Sequence, residues 1–268
     1  MNRYKKTFAN LKEKGEKALI PFTVVGDPDY GTSLELVKAM IDGGADILEL
    51  GAAFSDPIAD GTTIQAADAR VLSNSIHIDD FFSFIADIRA YSMTIPIGAL
   101  IYANLIYQRG IDAFYQKAKE AGLDSVLVAD LPIEEAKPFI RAAKKSRLQS
   151  VFIVSPLTDD TRLPAILKQT TGFVYVVARL GVTGAQEEMQ GATISLVKRL
   201  RAKTDLPLCV GFGISTPEHV RAVCSAGADG AIVGSAIVKR IEQSLSTKGA
   251  IPQMVRAFVA ELKGAARG

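Results

Sequence analysis

The chain has 268 residues, of which 48% are hydrophobic and 22% charged, with a formal net charge of +2. That balance fits an ordinary globular protein with a large core and gives no electrostatic case for a nucleic acid or an anionic membrane as partner. No window approaches the roughly 18 apolar residues of a membrane span, residues 1–17 stay charged with no secretory apolar stretch, and Cys209 and Cys224 are too few for a disulfide framework or a four-thiolate metal site. A cytoplasmic enzyme with no metal is the expectation.

Residues 2–15 read as an amphipathic helix ahead of the first strand. Short runs rich in Val, Ile and Leu then recur along the chain: Ala18–Val25, Ala45–Leu50, Ile95–Tyr102, Ser125–Ala129, Ser150–Val154, Phe173–Ala178, Leu206–Val210 and Gly230–Val233. They are nearly continuous rather than alternating, as parallel strands covered on both faces are. Helical patterns lie between them, among them Ser33–Asp42, Gly110–Ala121, Ile133–Lys145, Ile194–Lys203 and Pro217–Ala226, with a further one at Phe81–Tyr91 before the third strand. Thr216-Pro217-Glu218 is a helix-start signal, and Gly43-Gly44, Gly122 and Gly227 are stop signals. A Gly-x-Asp phrase precedes three of the strands, at Gly44-Ala45-Asp46, Gly122-Leu123-Asp124 and Gly227-Ala228-Asp229. Eight strand–helix units without a composition break or linker predict one α/β domain over residues 1–268, a TIM (β/α)8 barrel with an extra N-terminal helix; an open doubly wound sheet is the alternative.

In such barrels chemistry sits at the C-terminal ends of the strands. Glu49 lies inside the apolar run Ile47-Leu48-Glu49-Leu50-Gly51. A carboxylate there is costly unless paired, and burial raises its pKa toward the range where one group both gives and takes protons. The alternative is a salt bridge to a neighbouring strand. The loop that follows carries Asp56 and Asp60, in the turn-forming dipeptides Asp56-Pro57 and Asp60-Gly61. Gly211-Phe212-Gly213-Ile214-Ser215 follows the seventh strand and Gly234-Ser235 the eighth. Glycines at helix N-termini in that order suit a phosphate bound by backbone amides. Arg179–Gln186, with Gly181 and Gly184, suits a lid or an ordinary loop. His77 and His219 sit at the starts of helical patterns and read as helix-end residues.

Together these segments resemble the tryptophan synthase alpha chain family, over nearly the whole length. The most specific stretch runs from Leu48-Glu49-Leu50-Gly51 through Phe54-Ser55-Asp56-Pro57-Ile58-Ala59-Asp60-Gly61 to Ile64-Gln65. Pro21-Phe22 with Gly26-Asp27-Pro28, Asp130-Leu131-Pro132 with Glu134-Glu135, Gly172-Phe173-Val174-Tyr175 with Gly181-Val182-Thr183-Gly184, Gly211-Phe212-Gly213-Ile214 and Val233-Gly234-Ser235-Ala236 match other strand ends. The resemblance implies retro-aldol cleavage of indole-3-glycerol phosphate to indole and glyceraldehyde 3-phosphate. It implies that Glu49 moves the protons, that Asp60 meets the indole N–H and that Tyr175 assists. Phe22, Leu100, Tyr102, Leu127 and Ala129 would line the indole pocket. Thr183 would meet Asp60 on lid closure, and Gly184, Gly211, Gly213, Gly234 and Ser235 would bind phosphate. It further implies no cofactor in this chain, and an alpha2beta2 complex with a beta chain that carries pyridoxal phosphate and receives the indole.

The sequence departs from the family where Ala53, Thr62 and Leu105 stand in place of the usual proline, and at Ala129 and Ala178. Ala53 and Thr62 relax the restraint on the catalytic loop. Another phosphate-binding barrel, such as a sugar-phosphate isomerase, would leave the Phe54–Asp60 loop unexplained, and an activator subunit without chemistry would leave Glu49, Asp60 and Tyr175 unexplained.

Overall fold

The structure, a computed structural model, describes residues 2–177, 186–211 and 213–267, and of 186–190 the backbone only. The strands are β1 (Ala18–Val24), β2 (Leu48–Gly51), β3 (Ile97–Ile101), β4 (Ser125–Val128), β5 (Gln149–Ser150), β6 (Phe152–Val154), β7 (Val174–Val177), β8 (Leu208–Gly211) and β9 (Gly230–Val233). All pairings are parallel, in the order β5-β4-β3-β2-β1-β9-β8-β7-β6. The two ends of that order are consecutive in the chain, so the sheet meets itself at Val151 and forms the barrel, not the open sheet.

The expected fifth strand, Ser150–Val154, is thus two pieces. Gln149–Ser150 pairs with β4, and Phe152–Val154 pairs with β7. The break has a local cause: the Ser150 N–H donates to the Thr171 hydroxyl at 2.9 Å, so a side chain replaces a ladder partner. The second, third and seventh strands start two or three residues later than their apolar runs. The Gly-x-Asp repeat has a structural role here. Asp46, Asp124 and Asp229 accept the first or second amide of the preceding strand in the barrel, from Leu19 (2.8 Å), Ile97 (3.0 Å) and Leu208 (2.9 Å). Each also carries a basic partner, Lys263 on Asp46, Arg89 and Arg3 on Asp124, and Arg201 on Asp229. Three buried or half-buried carboxylates therefore satisfy the strand-start amides at the end of the barrel away from the candidate site.

Helices α1 (Arg3–Glu13), α2 (Tyr30–Asp42), α3 (Thr62–Ser73) and α4 (Ile78–Tyr91) precede β3. Two helices thus separate β2 from β3, as the extra pattern at Phe81–Tyr91 predicts. Asp29 caps α2, accepting the Thr32 N–H at 2.9 Å, which starts that helix three residues earlier than its apolar pattern. Then come α5 (Ala103–Arg109), α6 (Ile111–Ala121), α7 (Lys137–Lys145), α8 (Leu163–Gln169), α9 (Gln186–Arg201), α10 (Pro217–Ser225), α11 (Ser235–Gln243) and α12 (Ile251–Ala265). The helix expected from Ile133 begins only at Lys137, after a turn in which Glu135 N–H donates to Pro132. Gly44, Gly122 and Gly227 stand at φ of +98°, +104° and +100°, where glycine alone turns the chain out of a helix without strain.

The main core lies between the strands and the helical ring. A second cluster fills the barrel, with Ile20, Leu127, Phe173, Tyr175, Cys209 and Ile232 pointing inward. Helix α1 closes the lower end: Tyr4 reaches in and its hydroxyl lies 2.7 Å from that of Ser125. No described helix is long and apolar enough to cross a membrane.

Candidate active site

A cavity of about 310 Å³ opens at the C-terminal ends of the strands. Phe22, Leu100, Ile64, Ile214 and Ile232 give it apolar walls, and Glu49, Asp60, Tyr175, Gly213, Gly234 and Ser235 also line it. The proportions suit a flat aromatic ligand with a few polar anchors.

Glu49 stands in register with Phe22 on β1 and Gly98 on β3, so all three face the barrel interior. It is 4% exposed. It makes no ion pair with a described residue, which removes the salt-bridge reading. Burial, with a smaller push from Asp60, raises its pKa to about 8. Near neutrality Glu49 is therefore a carboxylic acid inside an apolar chamber, able to donate a proton and take one back.

Asp60 is half-buried at the end of the loop after β2. The Tyr102 hydroxyl donates to its Oδ2 at 2.6 Å. Burial raises the Asp60 pKa and the Tyr102 bond opposes that rise. The same hydroxyl accepts the Ala59 N–H at 3.0 Å, and the Gln65 amide donates to the Asp60 carbonyl at 2.8 Å. Asp56 is exposed and its carbonyl accepts the Ile58 N–H at 2.9 Å, the turn role expected of it.

Tyr175 is buried on β7. Burial, then the nearby Glu49 and Asp60 carboxylates, keep its hydroxyl protonated far above neutrality. Gly211 stands beside it. A Cβ there would lie 2.5 Å from the Tyr175 hydroxyl, so this glycine makes room for the ring rather than lining the cavity. Gly213 has φ +76°, and Gly234 precedes the first turn of α11, which no side chain caps. The free amides of that turn border the cavity next to Ser235.

Of the indole-pocket residues expected from sequence, Phe22 and Leu100 line the cavity. Tyr102 is not part of that lining, and its hydroxyl donates to Asp60. Leu127 and Ala129 belong to the packed barrel interior, Leu127 bordering a small separate void beneath Glu49. Thr183, Gly184 and the rest of the Arg179–Ala185 loop, with Ala178 and Phe212, lie outside the described residues.

Sequence reading missed Ile64, Ile214, Ile232, Thr62 and Thr63 in the lining, and Asp68 next to it. Asp68 is on α3, 4% exposed, and burial and the Asp60 charge raise its pKa to about 7. A signal was present: Ile64, Ala67, Asp68 and Val71 are spaced as one buried helical stripe, with a carboxylate in it.

The description "Tryptophan synthase alpha chain" matches residues 8–267. A tryptophan synthase alpha chain from Methanoregula boonei is 48% identical, with 99% of each chain covered, and one from Escherichia coli is 45% identical over 100% of each. Among solved structures, tryptophan synthase subunit alpha from Legionella pneumophila superposes with a TM-score of 0.92 at 36% identity, over 99% of this chain and 98% of that one. A tryptophan synthase complex from Pyrococcus furiosus gives 0.84 at 38% identity, over 93% and 99%. The chain belongs to the tryptophan synthase alpha chain family, and its activity is the lyase step of tryptophan biosynthesis that cleaves indole-3-glycerol phosphate.

Proposed function

We propose that the cleavage runs in the 310 Å³ cavity, with Glu49 as proton carrier, Asp60 as the anion at the indole N–H and Tyr175 as a neutral donor. The observation that carries this assignment is the isolated, protonated Glu49 facing an apolar chamber. Glu49 gives its proton to the indole ring carbon bearing the glycerol chain. The ring nitrogen becomes cationic, and Asp60 stabilises that charge while accepting its N–H. Glu49, now a carboxylate, removes the proton of the side-chain hydroxyl next to the ring. The carbon–carbon bond breaks, its electrons restore the indole, and the hydroxyl carbon becomes the aldehyde of glyceraldehyde 3-phosphate. Glu49 ends protonated, so no cofactor or metal in this chain is required. The substrate phosphate sits on the first-turn amides of α11 with Gly213, Gly234 and Ser235; by the family resemblance Gly184 would add to that phosphate site and Thr183 would meet Asp60.

The partner proposed is a beta chain carrying pyridoxal phosphate, in an alpha2beta2 assembly in the cytoplasm. Support comes from the strand-end loops at the cavity mouth. Ile58 after β2 is 83% exposed, Leu157 after β6 is 94% exposed, and Tyr107 on α5 is also exposed. All three follow strands β2, β3 and β6, at the strand end where the cavity opens, and exposed apolar side chains there fit a protein partner. Such a partner would keep indole, small and apolar, from escaping into water.

The test is indole release from indole-3-glycerol phosphate by the isolated chain, then with its cognate beta chain titrated in. Release with wild-type and its absence in Glu49→Gln supports the assignment; equal rates in both overturn it. Formation of the complex without acceleration rejects coupling through loop order, and the absence of any complex at micromolar concentration rejects the partner.

A further inference from the structure

Asp60 follows β2, Tyr102 follows β3 and Asp130 follows β4, all at the strand ends where the cavity opens. Asp130 does not line the cavity, yet hydrogen bonds connect it to Asp60. The pairing of β3 with β4 ends at Ile101 and Val128, where the Ala129 N–H donates to the Ile101 carbonyl at 2.9 Å. Just past that point the Ala103 N–H donates to Asp130 Oδ1 at 2.8 Å. This amide belongs to the peptide group directly after Tyr102, so the bond holds the backbone from which the Tyr102 ring projects. The Tyr102 hydroxyl then donates to Asp60 Oδ2 at 2.6 Å and accepts the Ala59 N–H at 3.0 Å. We propose that Asp130 is a positioning residue for the cleavage: by holding the Tyr102–Ala103 peptide it sets the Tyr102 hydroxyl on Asp60. The inference rests on Asp60 being the group that meets the indole N–H.

The local chemistry explains why this bond comes from another loop. Ala103 opens α5, and the first amides of a helix have no partner within it. Tyr102 stands at the N-cap position but its side chain makes no capping bond there, because its hydroxyl is turned to Asp60. The Asp130 carboxylate supplies the missing acceptor, and negative charge is favourable at a helix N-terminus. Asp130 is itself set by a turn in which the Leu131 N–H donates to the Val128 carbonyl at 3.4 Å, followed by Pro132, whose ring fixes its φ. At the other end of the linkage the Tyr102 ring is 2% exposed and stacks on Phe54, with centroids 5.0 Å apart and planes at 25°. The tyrosine is thus held at its backbone by Asp130 and at its ring by Phe54. Asp130 is exposed, so its replacement leaves the core untouched.

Asp130→Ala and Asp130→Asn, each made in the wild-type and the Tyr102→Phe backgrounds, test this, with Asp60→Asn as control. Asp130→Ala is expected to lower kcat/KM about three- to thirtyfold, since a displacement near 1 Å at a reacting group can cost about 100-fold. Asp130→Asn keeps an acceptor of the same shape, and asparagine caps a helix as well as aspartate does, so it should stay within about threefold of wild type. In the Tyr102→Phe background the bond to Asp60 is already gone, and Asp130→Ala should cost less than about twofold more, because residues in one linkage do not act additively. Losses that add in the double variant overturn the proposal, as does equal loss in Asp130→Asn and Asp130→Ala. A lower melting temperature with kcat/KM intact also overturns it, since Asp130 would then only cap α5. Full turnover in Asp60→Asn would remove the role of Asp60 itself, and the linkage with it; additive losses beside an impaired Asp60→Asn reject Asp130 alone.

Discussion

The Tyr102 hydroxyl donates to Asp60 Oδ2 at 2.6 Å and accepts the Ala59 N–H at 3.0 Å, so one side chain after the third strand holds both the carboxylate and the backbone of the loop after the second. Tyr102→Phe keeps the stack on Phe54 and removes only these bonds. Hydrogen bonds to charged groups are worth about 1.5–3 kcal/mol, so kcat/KM should fall about 10- to 100-fold. The bond holds the Asp60 pKa down, and its loss should move the acid limb of the rate profile to higher pH. Steady-state rates from pH 5 to 9 check both; an unmoved limb would show that Asp60 does not depend on Tyr102.

Glu49→Gln should lower kcat by about 10²–10⁴-fold, the usual cost of losing one positioned acid–base group. The same change should stabilise the protein with a defined pH dependence. The Glu49 pKa is raised on folding from 4.5 to about 8, so its contribution to stability is fully present below about 4.5 and is lost as pH rises through about 8. Wild type should therefore lose a few kcal/mol relative to Glu49→Gln between pH 4.5 and 8, at roughly 1.4 kcal/mol per unit of pKa shift. Urea denaturation at pH 5 and 8.5 measures it, and a constant difference between the two proteins would contradict the buried, unpaired state.

Ser235→Asp places a charge at the start of α11 beside the amides assigned to phosphate. An acidic group at a helix N-terminus is itself favourable by about 0.3–1 kcal/mol, so the melting temperature should hold or rise slightly. KM for indole-3-glycerol phosphate should nevertheless rise by about tenfold or more through charge repulsion, equivalent to about 1.4 kcal/mol. An unchanged KM would remove the phosphate from this helix end.

Gly211→Ala tests the space that Tyr175 occupies. The added Cβ would meet the Tyr175 hydroxyl at 2.5 Å and its ring carbons at 2.8 Å, and the strand cannot yield without disturbing its pairing with β7. Overpacking of this kind costs about 1–3 kcal/mol. Lower stability together with reduced kcat is expected. Lower stability with kcat intact would show that the Tyr175 hydroxyl is not used.

Much of the architecture is written in local pattern. Continuous Val, Ile and Leu runs give parallel strands, and the glycines at 44, 122 and 227 stop helices because only glycine takes their positive φ cheaply. An acid in the apolar run of β2 marks Glu49 because an unpaired charge cannot stay there. Strand starts were less legible, since Asp46, Asp124 and Asp229 take hydrogen bonds from strands distant in sequence. The break at Val151 likewise depends on a hydroxyl twenty-one residues ahead of Ser150.

The sequence by itself determined the alternation of strand and helix, the placement of Glu49 and Asp60 at one end of the barrel, and the glycines ahead of α10 and α11. Those features follow from periodicity and from the order of loops, which are properties of neighbouring residues. Only the tertiary structure decided that Tyr102 meets Asp60 through its hydroxyl, that Gly211 leaves room for Tyr175, and that Asp68 on α3 lies near enough to Asp60 to feel its charge. Each of those depends on how β3, β7, β8 and α3 are juxtaposed when the sheet closes. A hydrogen bond over 42 residues of separation, or a steric gap between two different strands, leaves no trace in the local pattern of either partner.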